Sequence, residues 1–141
     1  GAKQPASSRP RPRPVPVDPA VTQRVLESLH YQIGKAALDV DLPRKLRASR
    51  DAARAAMNGY DEAQTRLKVL ERNGRVIAAG TEMALYEAEL AKARQELQTA
   101  KQRADLSLQV LGRACLAAQF HPPGVEAAIA DVQRLQTNQE G

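Results

Sequence analysis

Apolar residues recur at three- and four-residue steps through most of this chain, the period of an α-helix with one buried face. The first run starts at Asp18-Pro19, where Asp is a good N-cap and Pro suits the first helical position. Val21, Val25, Leu29, Ile33, Ala36 and Val40 then form one stripe, and Asp41-Leu42-Pro43 is expected to stop or kink it. A second helix is predicted from about Pro43 to Arg72, with a strict seven-residue repeat. Leu46, Ala53, Tyr60 and Leu67 fall on one register and Ser49, Ala56, Ala63 and Leu70 on the other, which is the seam of a coiled coil. Glu62 and Arg66 form an outward i,i+4 pair. Asn73-Gly74 reads as a C-cap with Gly in the left-handed conformation.

A third helix is predicted from Thr81 to about Ala118. Met83, Leu90, Leu97, Ala104 and Leu111 share one register, and Tyr86, Ala93, Ala100, Ser107 and Ala114 share the other. Two long helices with the same repeat and a short connection imply an antiparallel hairpin. Alanine at many seam positions lets the backbones approach closely but buries little apolar area per residue. A third layer is therefore required, from the first helix or from partner chains. The connection from Gly74 to Gly80 is unusually apolar, and Arg75, Val76 and Ile77 at the hairpin tip are the candidate partner-binding residues. His121-Pro122-Pro123-Gly124 ends the third helix. A short final helix carries Val125, Ala128, Ile129, Val132 and Leu135 on one face. The expected fold is all-α: a helical bundle over residues 19–136, built on a long antiparallel coiled-coil hairpin. A disordered Pro/Arg-rich tail over 1–18 precedes it, and a frayed end over 137–141 follows.

Composition sharpens this picture. The chain has 141 residues and only 3% aromatic residues, too few for an aromatic platform that stacks single-stranded nucleic acid. The net charge of +5 is mostly a property of the tail. Lys3, Arg9, Arg11 and Arg13 supply four positive charges in the first thirteen residues, leaving +1 for the remainder. The body alternates acids and bases along its long helices, so no nucleic-acid partner is expected for it. In the tail, Pro10, Pro12, Pro14 and Pro16 favour an extended polyproline spacer. Pro-rich ligand and anionic-surface contacts are its sharper alternatives.

The chemistry-bearing residues are sparse. Cys115 is the single cysteine, so there is no disulfide framework and no four-thiolate metal site; an apolar helical setting makes it a buried, inert thiol. His30 and His121 stand outside any metal-ligand spacing. No phosphate loop and no Gly-x-Ser-x-Gly elbow is present. Glu87, Glu89 and Glu96 lie among Lys92, Arg94 and Lys101 as a solvated face. No catalytic, cofactor-binding or metal site is expected, and the protein reads as a non-enzyme.

Residues from about Asp51 to Gly112 resemble the helical repeat of the outer-membrane efflux factors, the TolC-like channels. Ala56, Tyr60, Ala63, Arg66 and Leu67 match its first helix, Gly74 and Val76 its turn, and Ala88, Leu90, Ala93, Leu97 and Ala100 its second helix. Asp105 and Leu111-Gly112 are similar to its closing segment. The hairpins of periplasmic membrane-fusion adaptors are nearly the same. Ile77 departs from the Ser or Thr common in the turn, and no amphipathic strands for a membrane barrel accompany the hairpin. The resemblance implies a helical scaffold of a bacterial cell envelope, efflux- or secretion-associated, as a lipoprotein or the soluble part of an outer-membrane factor. It would sit in the periplasm or at the outer membrane and act through protein partners by helix packing, self-association included. Membrane attachment would come only through an anchor removed before Gly1. The alternative is a cytoplasmic adaptor or chaperone-like protein whose basic tail binds an acidic partner.

Overall fold

A computed structural model describes residues 18–74 and 81–140. Residues 1–17, with most of the expected tail, and the 75–80 connection lie outside them. Among the described residues there are four helices and no strand: α1 Pro19–Ala37, α2 Arg47–Asn73, α3 Thr81–Ala117 and α4 Glu126–Glu140. The all-α class follows the periodicity, and the boundaries differ in detail. The 3₁₀ turn Arg44–Leu46 leads into α2, and α4 continues as helix through Glu140.

The start of α1 is as expected: the Asp18 side chain accepts a hydrogen bond from the Ala20 N–H at 2.9 Å, with Pro19 in the first turn. Its buried face is as expected only in part, through Leu29 and Ile33. Val21 and Val25 are 48% and 42% exposed, while Thr22, Leu26, Leu29, His30, Ile33, Gly34 and Ala37 are buried. The expected apolar row starts in water at Val21 and Val25 and enters the core at Leu29 and Ile33, and Ala37 ends the helix before Val40. The segment that follows returns to the core through Leu38, Leu42 and Leu46. Its carbonyls are satisfied by arginines of α2, Arg54 donating to the Leu38 oxygen at 2.6 Å and Arg47 to the Leu42 oxygen at 3.4 Å. A chain reversal this buried needs such donors, because an unpaired interior carbonyl costs about 1–3 kcal/mol.

α2 and α3 pack side by side in opposite directions. Ala48 and Ser49 at the start of α2 lie beside Ser107 and Val110 late in α3, and Arg66 meets Glu96 at 3.4 Å. Every seam position named above is buried or half-buried. Arg66 pairs across the hairpin with Glu96 rather than along its own helix with Glu62, because the groove between the helices aims its guanidinium at α3. Gly74 caps α2, but with φ −61° it is right-handed, not left-handed. Space is what its missing side chain provides. A Cβ there would lie 2.7 Å from the Tyr86 ring carbon Cε1 and closer still to its hydroxyl end.

α1 packs against the other side of α3, along the C-terminal half of that helix. Arg24 and Glu27 share a shallow surface groove with Lys101 and Asp105, and ten residues further along α1 Gly34 meets Gly112. Both offsets advance together, so α1 and α3 run in the same direction. At the glycines the two backbones touch. A Cβ on Gly34 would lie 2.8 Å from the Leu108 carbonyl carbon, and one on Gly112 would lie 2.8 Å from the His30 carbonyl carbon, with the oxygens nearer in each case. Only residues without a Cβ allow the two backbones to come this close. Around the crossing, Ile33, Leu108, Leu111, Cys115 and Val132 are fully buried. α4 closes the core from the α1 side through Ala128, Ile129 and Val132.

The end of α3 is a hydrogen-bonded reversal rather than a proline stop. The Phe120 N–H donates to the Cys115 carbonyl at 2.8 Å and the Gln119 N–H to the Leu116 carbonyl at 3.0 Å. Gln119 has φ 57° and holds the left-handed position that glycine normally takes. Pro122 and Gly124 (φ 91°) come after the helix has already turned.

Candidate functional site

The two faces of the α2–α3 hairpin differ. α1 covers one face, along Leu108 and Gly112. The other carries an open groove between α2 and α3. At one end it is bounded by Ala48, Ala52, Leu106 and Val110; in the middle by Ala55, Gly59, Ala63 and Arg103; at the far end by Val69, Leu70, Glu89 and Lys92. No residue of α1 or α4 lines it. Helical periodicity produces this face, since positions 48, 52, 55, 59, 63, 66 and 70 of α2 fall on one side of the cylinder.

The groove holds three of the six large apolar side chains that are exposed among the described residues. Leu106 is 55% exposed, and Val69 and Val110 are each 47% exposed. Leu85, 64% exposed, lies one heptad before Lys92 on the same side of α3. Single exposed apolar residues are ordinary, whereas a row along one face marks an interaction surface. The apolar ends flank a polar middle in which Arg66 and Glu96 form their exposed ion pair.

The candidate tip residues Arg75, Val76 and Ile77 lie outside the described residues. Sequence periodicity did not single out Val69, Leu106 and Val110, because they stand beside the seam rather than on it. That placement is itself the usable signal: an aliphatic residue next to a filled seam position has no partner within its own hairpin.

The titratable groups in the core are set by burial. His30 is buried, and desolvation, with the nearby Arg113 charge second, lowers its pKa below the usual histidine value. Burial pushes the Cys115 thiol up, as the apolar setting implied. The exposed Glu126 is held below the usual carboxylate range by hydrogen bonds from its own backbone N–H and from that of Gly124. Among the described residues, no three His, Cys, Asp or Glu side chains come together as a metal-holding group, and no helix is long and apolar enough to cross a membrane. No protein-family model, no curated protein and no solved structure matches this chain.

Proposed function

We propose that this chain is a non-enzymatic helical scaffold that works by protein–protein contact, with the bare face of the α2–α3 hairpin as its docking surface. The observation that carries this reading is the asymmetry of the hairpin. One face is covered by α1 over the C-terminal half of α3, and the other exposes Val69, Leu85, Leu106 and Val110 along its length. A hairpin with an alanine-rich seam buries little area by itself, so an uncovered apolar groove is the natural place for another helix to add its own. The likeness of residues 51–112 to efflux-factor hairpins supports a bacterial cell envelope, efflux- or secretion-associated, as the setting.

The test is site-specific photocrosslinking in a bacterial host, with a photoreactive residue at Val69 or Leu106 and a control at exposed Gln23 of α1. Discrete protein adducts from the groove positions, absent from the control, are expected, and they should fractionate with the envelope. Adducts that form equally at Gln23, or none at either groove position, would rule the docking face out. Specific adducts found in the cytoplasm would keep the scaffold and remove the envelope.

A further inference from the structure

We infer that the occupant of the bare face is a second copy of this chain, packed antiparallel about a two-fold axis passing beside Gly59. The inference rests on the docking reading above and adds the identity of the partner. Three kinds of observation favour a self-complementary contact.

The first is the distribution of apolar side chains. A two-fold axis at Gly59 sets each α2 position opposite the one equally far on the other side, so Ala55 faces Ala63 and Ala52 faces Arg66 of the other copy. Val69 and Leu70 at one end then meet Ser49 and Ala48, with Val110 beside them, at the other. The exposed valines and leucine at the two ends, which nothing among the described residues covers, cover each other.

The second is charge. The lining carries Glu89 and Glu96 together with Arg66, Lys92 and Arg103, so each face offers both signs and the acids of one copy can meet bases of the other. The same axis brings Glu62, at the rim, opposite Ala56, whose groove neighbour is Arg103.

The third is the fit at the axis. Glycine inside a helix costs about 1 kcal/mol relative to alanine. At Gly34 and Gly112 that cost is explained, since a Cβ would strike a neighbouring backbone. At Gly59 a Cβ would meet nothing within 4 Å, and the residue lines the middle of the groove. A close approach by something beyond this chain gives it the role that Gly34 and Gly112 have within it. The area is sufficient: the 27 residues of α2 span about 40 Å, and a face two helices wide offers about 700–800 Å² per copy, the size of a standard stable interface.

Sedimentation equilibrium of the full chain tests this. The wild type is expected to run at twice the 15.3 kDa monomer mass in the micromolar range. Gly59→Leu is expected to run as a monomer with undiminished helicity, because its side chain enters space that is empty in the single chain. Val110→Glu should also abolish the dimer, by a different route. An oxidised mixture of Ala52→Cys and Arg66→Cys chains should give a mixed disulfide, while neither variant cross-links alone; the buried Cys115 does not compete. A monomeric wild type, a dimer that survives Gly59→Leu, or cross-linking of Ala52→Cys to itself overturns the inference. A monomeric wild type that still gives groove-specific adducts to another protein overturns only the self-association. The absence of both overturns the docking face as well.

Discussion

The two halves of α3 are held by different means. From Ala104 to Cys115 the helix sits between α1 and α2, with α4 completing the core, and Leu108, Leu111 and Cys115 are sealed from water. From Met83 to Leu97 it lines the groove with α2 at Glu89, Lys92, Ala93 and Glu96, and in that stretch only Ala93 is buried. The sequence repeat is the same in both halves. The repeat alone therefore does not set burial, and the number of layers decides how dry each half becomes. A two-helix ribbon leaves one face of each helix in water however regular its seam. The densely packed end is a platform from which the open end extends.

The largest test of this contrast is at the glycines. Gly112→Val should force α1 off α3 and destabilise the protein by about 3 kcal/mol or more, because the obstacle is backbone and cannot rotate away. Gly59→Ala, in dilute solution, should instead stabilise it by about 0.5–1 kcal/mol. Urea unfolding of both variants measures this, and a similar loss for each would mean that the base is no tighter than the ribbon. A smaller difference separates two seam leucines. Leu111→Ala should cost about 3–5 kcal/mol and the half-buried Leu90→Ala about 1–2 kcal/mol. Amide exchange should follow the same order, with residues 104–115 protected longest and residues 83–97 opening first. Uniform protection along α3 would contradict the two-halves description.

The smallest effect is one of pH and belongs to the base alone. The fold lowers the pKa of His30, so the native state prefers neutral imidazole and the unfolded state takes up the proton. Stability is then fully present above the unfolded value near 6.5 and is lost as pH falls through the folded value. The unfolding midpoint should drop between pH 7 and pH 5, and His30→Gln should remove that part of the slope. An unchanged slope would mean that His30 is solvated in the native state.

The helices themselves were legible in the sequence: Asp18-Pro19 marked a start, the two heptad runs marked a pair, and the final apolar face marked α4. The facing of α1 was legible only in part. Its core row contains Thr22 and His30 while two valines lie outside, and a helix with neighbours on two sides does not present one clean stripe. The glycine crossing was also missed, although an interior helical glycine is a detectable anomaly. Gly34 and Gly112 are 78 positions apart, and periodicity within one helix carries no information about which distant turn it meets. Gln119 gave no signal, since a left-handed glutamine is held by the hydrogen bonds around it rather than by its own preference. The open face was half legible. The need for a further layer followed from the alanine seam, and periodicity did not mark the exposed row along the side; Arg75, Val76 and Ile77 at the tip lie outside the described residues.

Cys115 gives this architecture a reporter that nothing needs to be added to. Its sulfur lies one turn beyond Gly112, in the dry end, and burial keeps it in the unreactive thiol form. A maleimide or disulfide reagent can reach it only after the platform separates, however far the ribbon breathes. The rate of its capture times the opening of one end of the molecule while remaining blind to the other.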